Sequence, residues 1–459
     1  MNPVRNLLLL ALVVFFACKK DSFTNSSSAQ LITSVDTLHF DTVFTSTGST
    51  SQFVKIINNN NNGIHISSVK LAGGASSAFK LNVDGTPGWQ VNNVDVLGND
   101  SVYVYVTVSI NPTGAGLPFV VRDSIEIDYN GNKRFVQLDA YGRNAHFFRD
   151  RKITSPETCN NYLPYVILGG LTVDNNTTLT INEGCKIYMH ADAPFIVNGS
   201  LQVNGDKYDS TRVVFAGDRL DDPYRDFPAS YPGIIFSDVS SNNVLNYAII
   251  KNAYQGIVAG PSYSGTKLTL SQTIIDNAYD AGLFAVNSSI NAQNLLVSNC
   301  GKNILLVGGG NYNFTHCTAA TYSNNYIQHK DPVLFITDRF NSTTNSLTAN
   351  FANCIFWAES NGVIDDEVVT SKQGSSFNVV FDHVLWRIKN NPSNSTITSA
   401  INNQSPLFDT INTSQKIYSF RLKDSSPAID KGKSTSVNID LDGKPRPVGL
   451  PDLGCYEKQ

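Results

Sequence analysis

The sequence predicts an all-β chain: an antiparallel β-sandwich over residues 33–148, then a right-handed parallel β-helix over 166–459. Three observations carry this. Charged residues make up only 16% of the 459 residues, and Asn, Ser and Thr stand in their place; these side chains compete for local backbone groups and suit strands and turns better than helices. Residues 33–148 alternate apolar and polar in short runs parted by turn signals. Beyond 166, aliphatic pairs return at intervals of roughly 20 to 30 residues, the mark of a solenoid.

The chain opens on "MNPVRNLLLLALVVFFACKK", one positive charge followed by an apolar run at 7–17. That run is too short to span a bilayer and fits the core of a secretory signal. It ends at Ala17–Cys18 and so resembles a bacterial lipoprotein signal. The resemblance implies removal of 1–17, acylation of Cys18, and attachment to the outer membrane of the cell envelope through buried methylenes. Residues 18–32, rich in Ser and Asn, read as a flexible tether.

In 33–148, runs such as "TLHFDTVF", "QFVKII", "SVYVYVTVSI" and "VVRDSIEIDY" read as half-buried strands, and "NNNNNG", "DGTPG" and "NPTGAG" as turns. Seven or so strands in this length predict a sandwich. The order of "FDTVFTSTGSTSQFVKIINN", "ISSVKLAGG", "FKLNV", "NDSVYVYV" and "VQLDAYG" resembles the Ig-like modules of spindle and ciliary proteins that recur in Bacteroidetes envelope proteins. The resemblance implies a spacer or docking role. Residues 149–165 have charge, proline and no sustained period, and read as a linker.

In the second segment "YAIIKNA" (247–253), "QTIIDNA" (272–278) and "QNLLVSNC" (293–300) align on their aliphatic pairs, and "HCTAAT" follows in register. "NCIFW" (353–357) and "DHVLW" (382–386) repeat one another later. One repeat is one coil, and a coil that cannot bury its apolar face alone stacks on the next. This alignment puts the first of each pair inside, the second outside, and Trp357 over Trp386. Asn252, Asn277 and Asn299 share one position and read as an asparagine ladder, since Asn tolerates left-handed corners and its amides can stack. Six cysteines (Cys159, Cys185, Cys300, Cys317, Cys354, Cys455) form no C-x-x-C pair; Cys185, Cys300, Cys317 and Cys354 sit beside aliphatic residues and read as buried thiols. "LTVDNNTTLTI" with "IVNGSLQVNG", and at the end "SPLFDT", "SPAIDKGK", "DLDGKPRP" and "PDLGCYE", resemble bacterial right-handed β-helix proteins of the pectate-lyase-like superfamily. The typical Trp-Gly-Gly-Ile is replaced by Tyr231-Pro232-Gly233-Ile234. In that family the final segment closes the solenoid, so Asp430, Asp440, Asp442, Arg446 and Asp452 are expected to brace turns against the last coil.

A net charge of −4 without any basic run argues against nucleic acid. Chemistry concentrates in two stretches. The loop 217–233 carries Asp221, Asp222, Arg225 and Asp226. Clustered carboxylates bind hard cations such as Ca2+ and Arg pairs with sugar acids; the bland alternative is a solvated loop of mutually paired charges. "GVIDDEVV" offers Asp365 and Asp366, and "WRIKN" offers Arg387 and Lys389, candidates for the two-carboxylate chemistry of glycoside hydrolysis. The R-x-K echoes β-helix pectin hydrolases, but their N-x-D and G-H-G motifs are absent. No histidine spacing of a metal site exists. The expectation is a monomeric, non-enzymatic envelope lipoprotein, without cofactor, offering its solenoid to a glycan or an envelope protein. The alternative is a polysaccharide lyase or glycoside hydrolase acting on an acidic glycan.

Overall fold

The computed structural model describes residues 22–45, 48–112, 118–322, 326–359, 363–374 and 376–459; Cys18 and its leader lie outside them. The chain forms two compact units divided after Asn144. The first is a sandwich of two five-stranded sheets. Neighbouring strands are antiparallel except Thr37–Phe44, which pairs parallel with Asn132–Arg143. Alternation does what the sequence requires: Val54, Ile56, Val104 and Val106 of one sheet meet Ile66, Ile125, Ile127 and Leu138 of the other in one core. The four alternating runs quoted above are strands. Gln90–Val96, whose outward positions are all polar, is a further one. The second half of the expected tether belongs to this unit, because Leu31 is buried and Ile32–Thr33 pairs with Gln52–Asn58.

The second unit is a parallel β-helix. Among the described residues its 23 strands pair in one continuous ladder, each coil lying on the one before. The solenoid begins earlier than expected. His146–Ile153, which straddles the expected end of the sandwich and start of the linker, and Glu157–Cys159, inside the stretch read as a linker, pair parallel with Tyr165–Val173 and Thr178–Asn182. Phe148, Ile153 and Cys159 point inward and extend the core, while the charged residues that hid the strand face out.

Each coil presents three strand faces. On the third, the inward ladder runs Phe215, Ile250, Ile275, Val297, Ala319, Phe356 and Trp386. The inward residue is therefore the second of the pair in the two Ile-Ile repeats and in Ile355–Phe356, with Ile249 and Ile274 facing outward, the reverse of the expectation; in Leu295–Leu296 and Val384–Leu385 it is the first, as expected. Trp357 does not lie over Trp386 either. Asn353 and His383 occupy the same one-residue corner, with φ of 56° and 58°, so Cys354 lies over Val384 and Phe356 over Trp386. A slip of one residue exchanges faces: Trp386 is interior, and Trp357 packs half-buried on the outside. The aromatic stack inside these coils is Phe314, Phe351 and Phe381, with ring centroids 5.2 and 5.1 Å apart. Gly233, in the variant Tyr-Pro-Gly-Ile, has φ of 126°, and a Cβ there would run into the Gln255 carbonyl.

All six described cysteines are buried free thiols. Burial pushes Cys159 up to about 12 and Cys185 to about 11, so they pack as small apolar groups.

The C-terminal segment is a strap rather than a lid on the last coil. It runs back along the corner between the second and third faces. Lys433 exchanges backbone hydrogen bonds with the Asn353 amide at 2.9 and 2.7 Å, Asn294 Nδ2 donates to the Ile439 carbonyl at 2.8 Å, and Arg212 to that of Leu441 at 2.6 Å. The expected bracing residues do hold turns: Asp440 accepts from the N–H groups of Asp442 and Lys444 at 2.9 and 2.8 Å, and Asp452 from that of Asp430 at 2.8 Å. They do so beside earlier coils, not the last one.

Candidate functional site

The corner between the third and first faces carries Asn252, Asn277 and Asn299, at φ of 65°, 56° and 52°. Asn277 Nδ2 donates to Asn252 Oδ1 at 2.8 Å, but Asn299 turns to Asp276 Oδ1 at 3.2 Å, so the amide ladder has two rungs. The remaining amide hydrogens hold the charged loop: Asn252 donates to the Arg225 carbonyl at 2.7 Å and Asn277 to that of Asp226 at 3.0 Å. The hairpin of Phe408–Asn412 and Ile417–Leu422 comes back across this corner. Between loop, corner and hairpin lies a cleft of about 220 Å³.

One wall is tied together. Lys416 Nζ lies 3.1 Å from Asp226 Oδ2 and donates to the Tyr326 hydroxyl at 3.1 Å, and the Tyr326 ring packs on Phe227 at 5.0 Å. The floor is less spent. Lys251, Asp276 and Ser298 stand in register on successive coils. Asp276 Oδ1 accepts from Ser298 Oγ at 2.6 Å as well as from Asn299. Burial raises this carboxyl above the usual range, with the two hydrogen bonds and the Lys251 charge opposing. Among the described residues Lys251 forms no ion pair. The Tyr418 hydroxyl is buried without a hydrogen-bond partner, and burial first, then the Asp276 charge, raises its pKa. The cleft therefore offers an ammonium, a carboxylate oxygen and a phenol hydroxyl to one small volume.

The residues singled out in sequence are distributed differently. In the loop, Asp221 accepts from Nε and Nη2 of Arg219, each at 2.7 Å, and Asp222 pairs with Arg225 at 2.8 Å. Three of the four expected ligand-binding residues thus serve the loop itself, and only Asp226 lines the cleft. Among the described residues no group of three or more His, Cys, Asp or Glu could hold a metal ion.

Asp365 and Lys389 form an exposed pair at 3.2 Å. Asp366 accepts from the N–H groups of Lys389 and Asn390 at 2.6 and 2.7 Å and braces a turn. Arg387 turns inward, donating to Glu367 Oε1 at 2.6 Å, where His329 Nε2 also lies at 2.9 Å. Glu367 is fully buried. These four candidates do not converge on an accessible site. Sequence reading missed Lys251, Asp276, Lys416 and Tyr418. Lys251 and Asp276 were within reach, since each precedes the asparagine of its aligned repeat.

No protein-family model matches the chain, and neither does any curated protein. Among solved structures, a family 123 glycoside hydrolase from Clostridium perfringens, described for glycolipid glycan hydrolysis, matches 24% of this chain at 11% identity and a TM-score of 0.18; the match spans 25% of that hydrolase. The ASH/PapD-like domain 7 of human CEP192 matches 28% of this chain and 92% of that domain, at 9% identity and a TM-score of 0.18. Likenesses this faint carry no argument about fold or function.

Proposed function

We propose that this chain is a cell-envelope lipoprotein, anchored to the outer membrane through acylated Cys18, whose β-helix binds a glycan in the cleft over Lys251 and Asp276 without cleaving it. The observation that carries the reading is the unspent hydrogen-bonding capacity of that floor. A buried hydroxyl left without a partner costs free energy unless a ligand supplies one, and sugar hydroxyls both donate and accept. Half-buried Tyr326 adds an aromatic wall of the kind that packs on sugar rings. Binding is favoured over hydrolysis because cleavage needs two poised carboxylates, and Asp226 is engaged by Lys416. The family-level reading, an Ig-like module ahead of a pectate-lyase-like solenoid, agrees with a binding role and does not decide it.

A glycan array probed with the full chain tests the proposal, paired with a reducing-end assay on each glycan retained. The expected result is retention without new ends. Product formation that disappears in Asp276→Asn would instead establish the lyase or hydrolase reading, which the raised Asp276 carboxyl favours. Palmitate incorporation lost in Cys18→Ala tests the anchor.

A further inference from the structure

The second face of the solenoid carries hydrogen-bonding groups that the cleft does not use. Thr269, Asn291, Asn313 and Asn350 lie in register on its solvent side. Asn350 Nδ2 donates to Asn313 Oδ1 at 3.0 Å, Asn313 Nδ2 to Asn291 Oδ1 at 3.1 Å, and Asn291 Nδ2 to Thr266 Oγ1 at 3.2 Å. A primary amide has two N–H donors and two lone pairs. Each rung spends one donor on its neighbour, so Asn291 and Asn313 each keep one N–H and at least one lone pair for the solvent side. Rungs repeat at about 4.8 Å, the strand spacing, close to the length of one sugar residue. This stripe is not a flat open surface. Lys433, Thr435, Ser436 and Val437 of the strap wall its Thr269, Asn291 and Asn313 stretch on one side and make a groove of about 410 Å³, with Gln293 and Thr315 also on its floor. The groove presents no unopposed charge, because its one lysine, Lys433, is paired with Asp382.

We propose that this groove binds an uncharged linear polysaccharide lying along the solenoid axis, its hydroxyls meeting the unspent half of each amide. A charged chain finds no counter-charge there and would lose hydration without return. An extended peptide would need a free strand edge, and the groove floor is a sheet face. The site shares no residue with the cleft, so either can fail alone.

The test is calorimetric titration of the full chain with neutral hexasaccharides of β-1,4-glucan, β-1,4-mannan and β-1,4-xylan, and with hexagalacturonate as the charged control. The expected result is binding of at least one neutral hexasaccharide that weakens at least tenfold in Asn313→Leu and in Asn291→Ala. It should be unchanged in Asp276→Asn and Tyr418→Phe, with circular dichroism verifying that every variant is folded. Three results would overturn the proposal: no neutral hexasaccharide bound by the unmodified chain, binding that survives both groove substitutions, or tighter binding of hexagalacturonate that the groove substitutions abolish. Binding lost only in the cleft variants would move the neutral ligand to the cleft, refuting the groove while leaving the proposed function standing.

Discussion

Two of the places where the solenoid gathers carboxylates and bases behave in opposite ways. Around Glu367 the charges are paired in a closed interior: Arg387 and His329 converge on one oxygen, the Val333 N–H donates to the other at 3.3 Å, and Arg387 also donates to the Ile364 carbonyl at 3.0 Å, with only its Nε left without a partner and no open volume beside it among the described residues. At the cleft the same residue types stand in register, but the hairpin 408–422 crosses the corner and leaves room, and Lys251, Tyr418 and one oxygen of Asp276 stay available. Charge content alone does not separate a brace from a site. Unspent hydrogen-bonding capacity beside an open volume does.

Removing Glu367 should have the largest effect. Glu367→Ala strands Arg387 and His329 in the interior, and loss of one partner of a buried pair costs about 3–5 kcal/mol; urea unfolding followed by near-UV circular dichroism measures it. A smaller loss at the same position would mean the cluster is wetter than its burial implies. Acid should probe a further buried cluster, in which Arg446 contacts His316 and Glu457. Burial, then the Arg446 charge, holds His316 down to about 3, against 6.5 for an ordinary histidine. The folded chain therefore binds fewer protons than the unfolded one between these values. This stability is fully present above pH 6.5 and is lost as pH falls toward 3. Between pH 7 and pH 4.5 the urea midpoint of wild type should fall relative to that of His316→Gln, which lacks this titration.

In the cleft, Lys251→Ala and Asp276→Asn should each weaken glycan binding about tenfold, the equivalent of one good hydrogen bond, with little movement of the unfolding midpoint. Titration of an array-selected glycan measures the first, urea the second. The smallest effect belongs to Asp365→Ala. Its partner Lys389 is as exposed as it is, so the change in stability should stay within about 0.5 kcal/mol.

Much of the architecture was legible because the solenoid writes its period into the chain: Ile249 with Ile274, and Ile250 with Ile275, align in sequence as they do in space. Register was less legible. The two tryptophans suggested an alignment one residue off, because a single corner residue, Asn353 or His383, resets the alternation without a turn signal of its own. The first coil was hidden by "RDRK", whose charges all face out. At the site, Asp226 was read from its cluster. Lys416 and Tyr418 were not, because they reach the cleft only when a hairpin more than a hundred residues along the chain folds back across the corner, and no local pattern encodes that return.

The most direct test is amide hydrogen exchange of the full chain with and without a glycan selected on the array. The account predicts slowed exchange at 224–230, 250–254, 275–279 and 413–418, and no change at 362–390. Protection centred on 362–390, or none in the four cleft segments under saturating glycan, would contradict it.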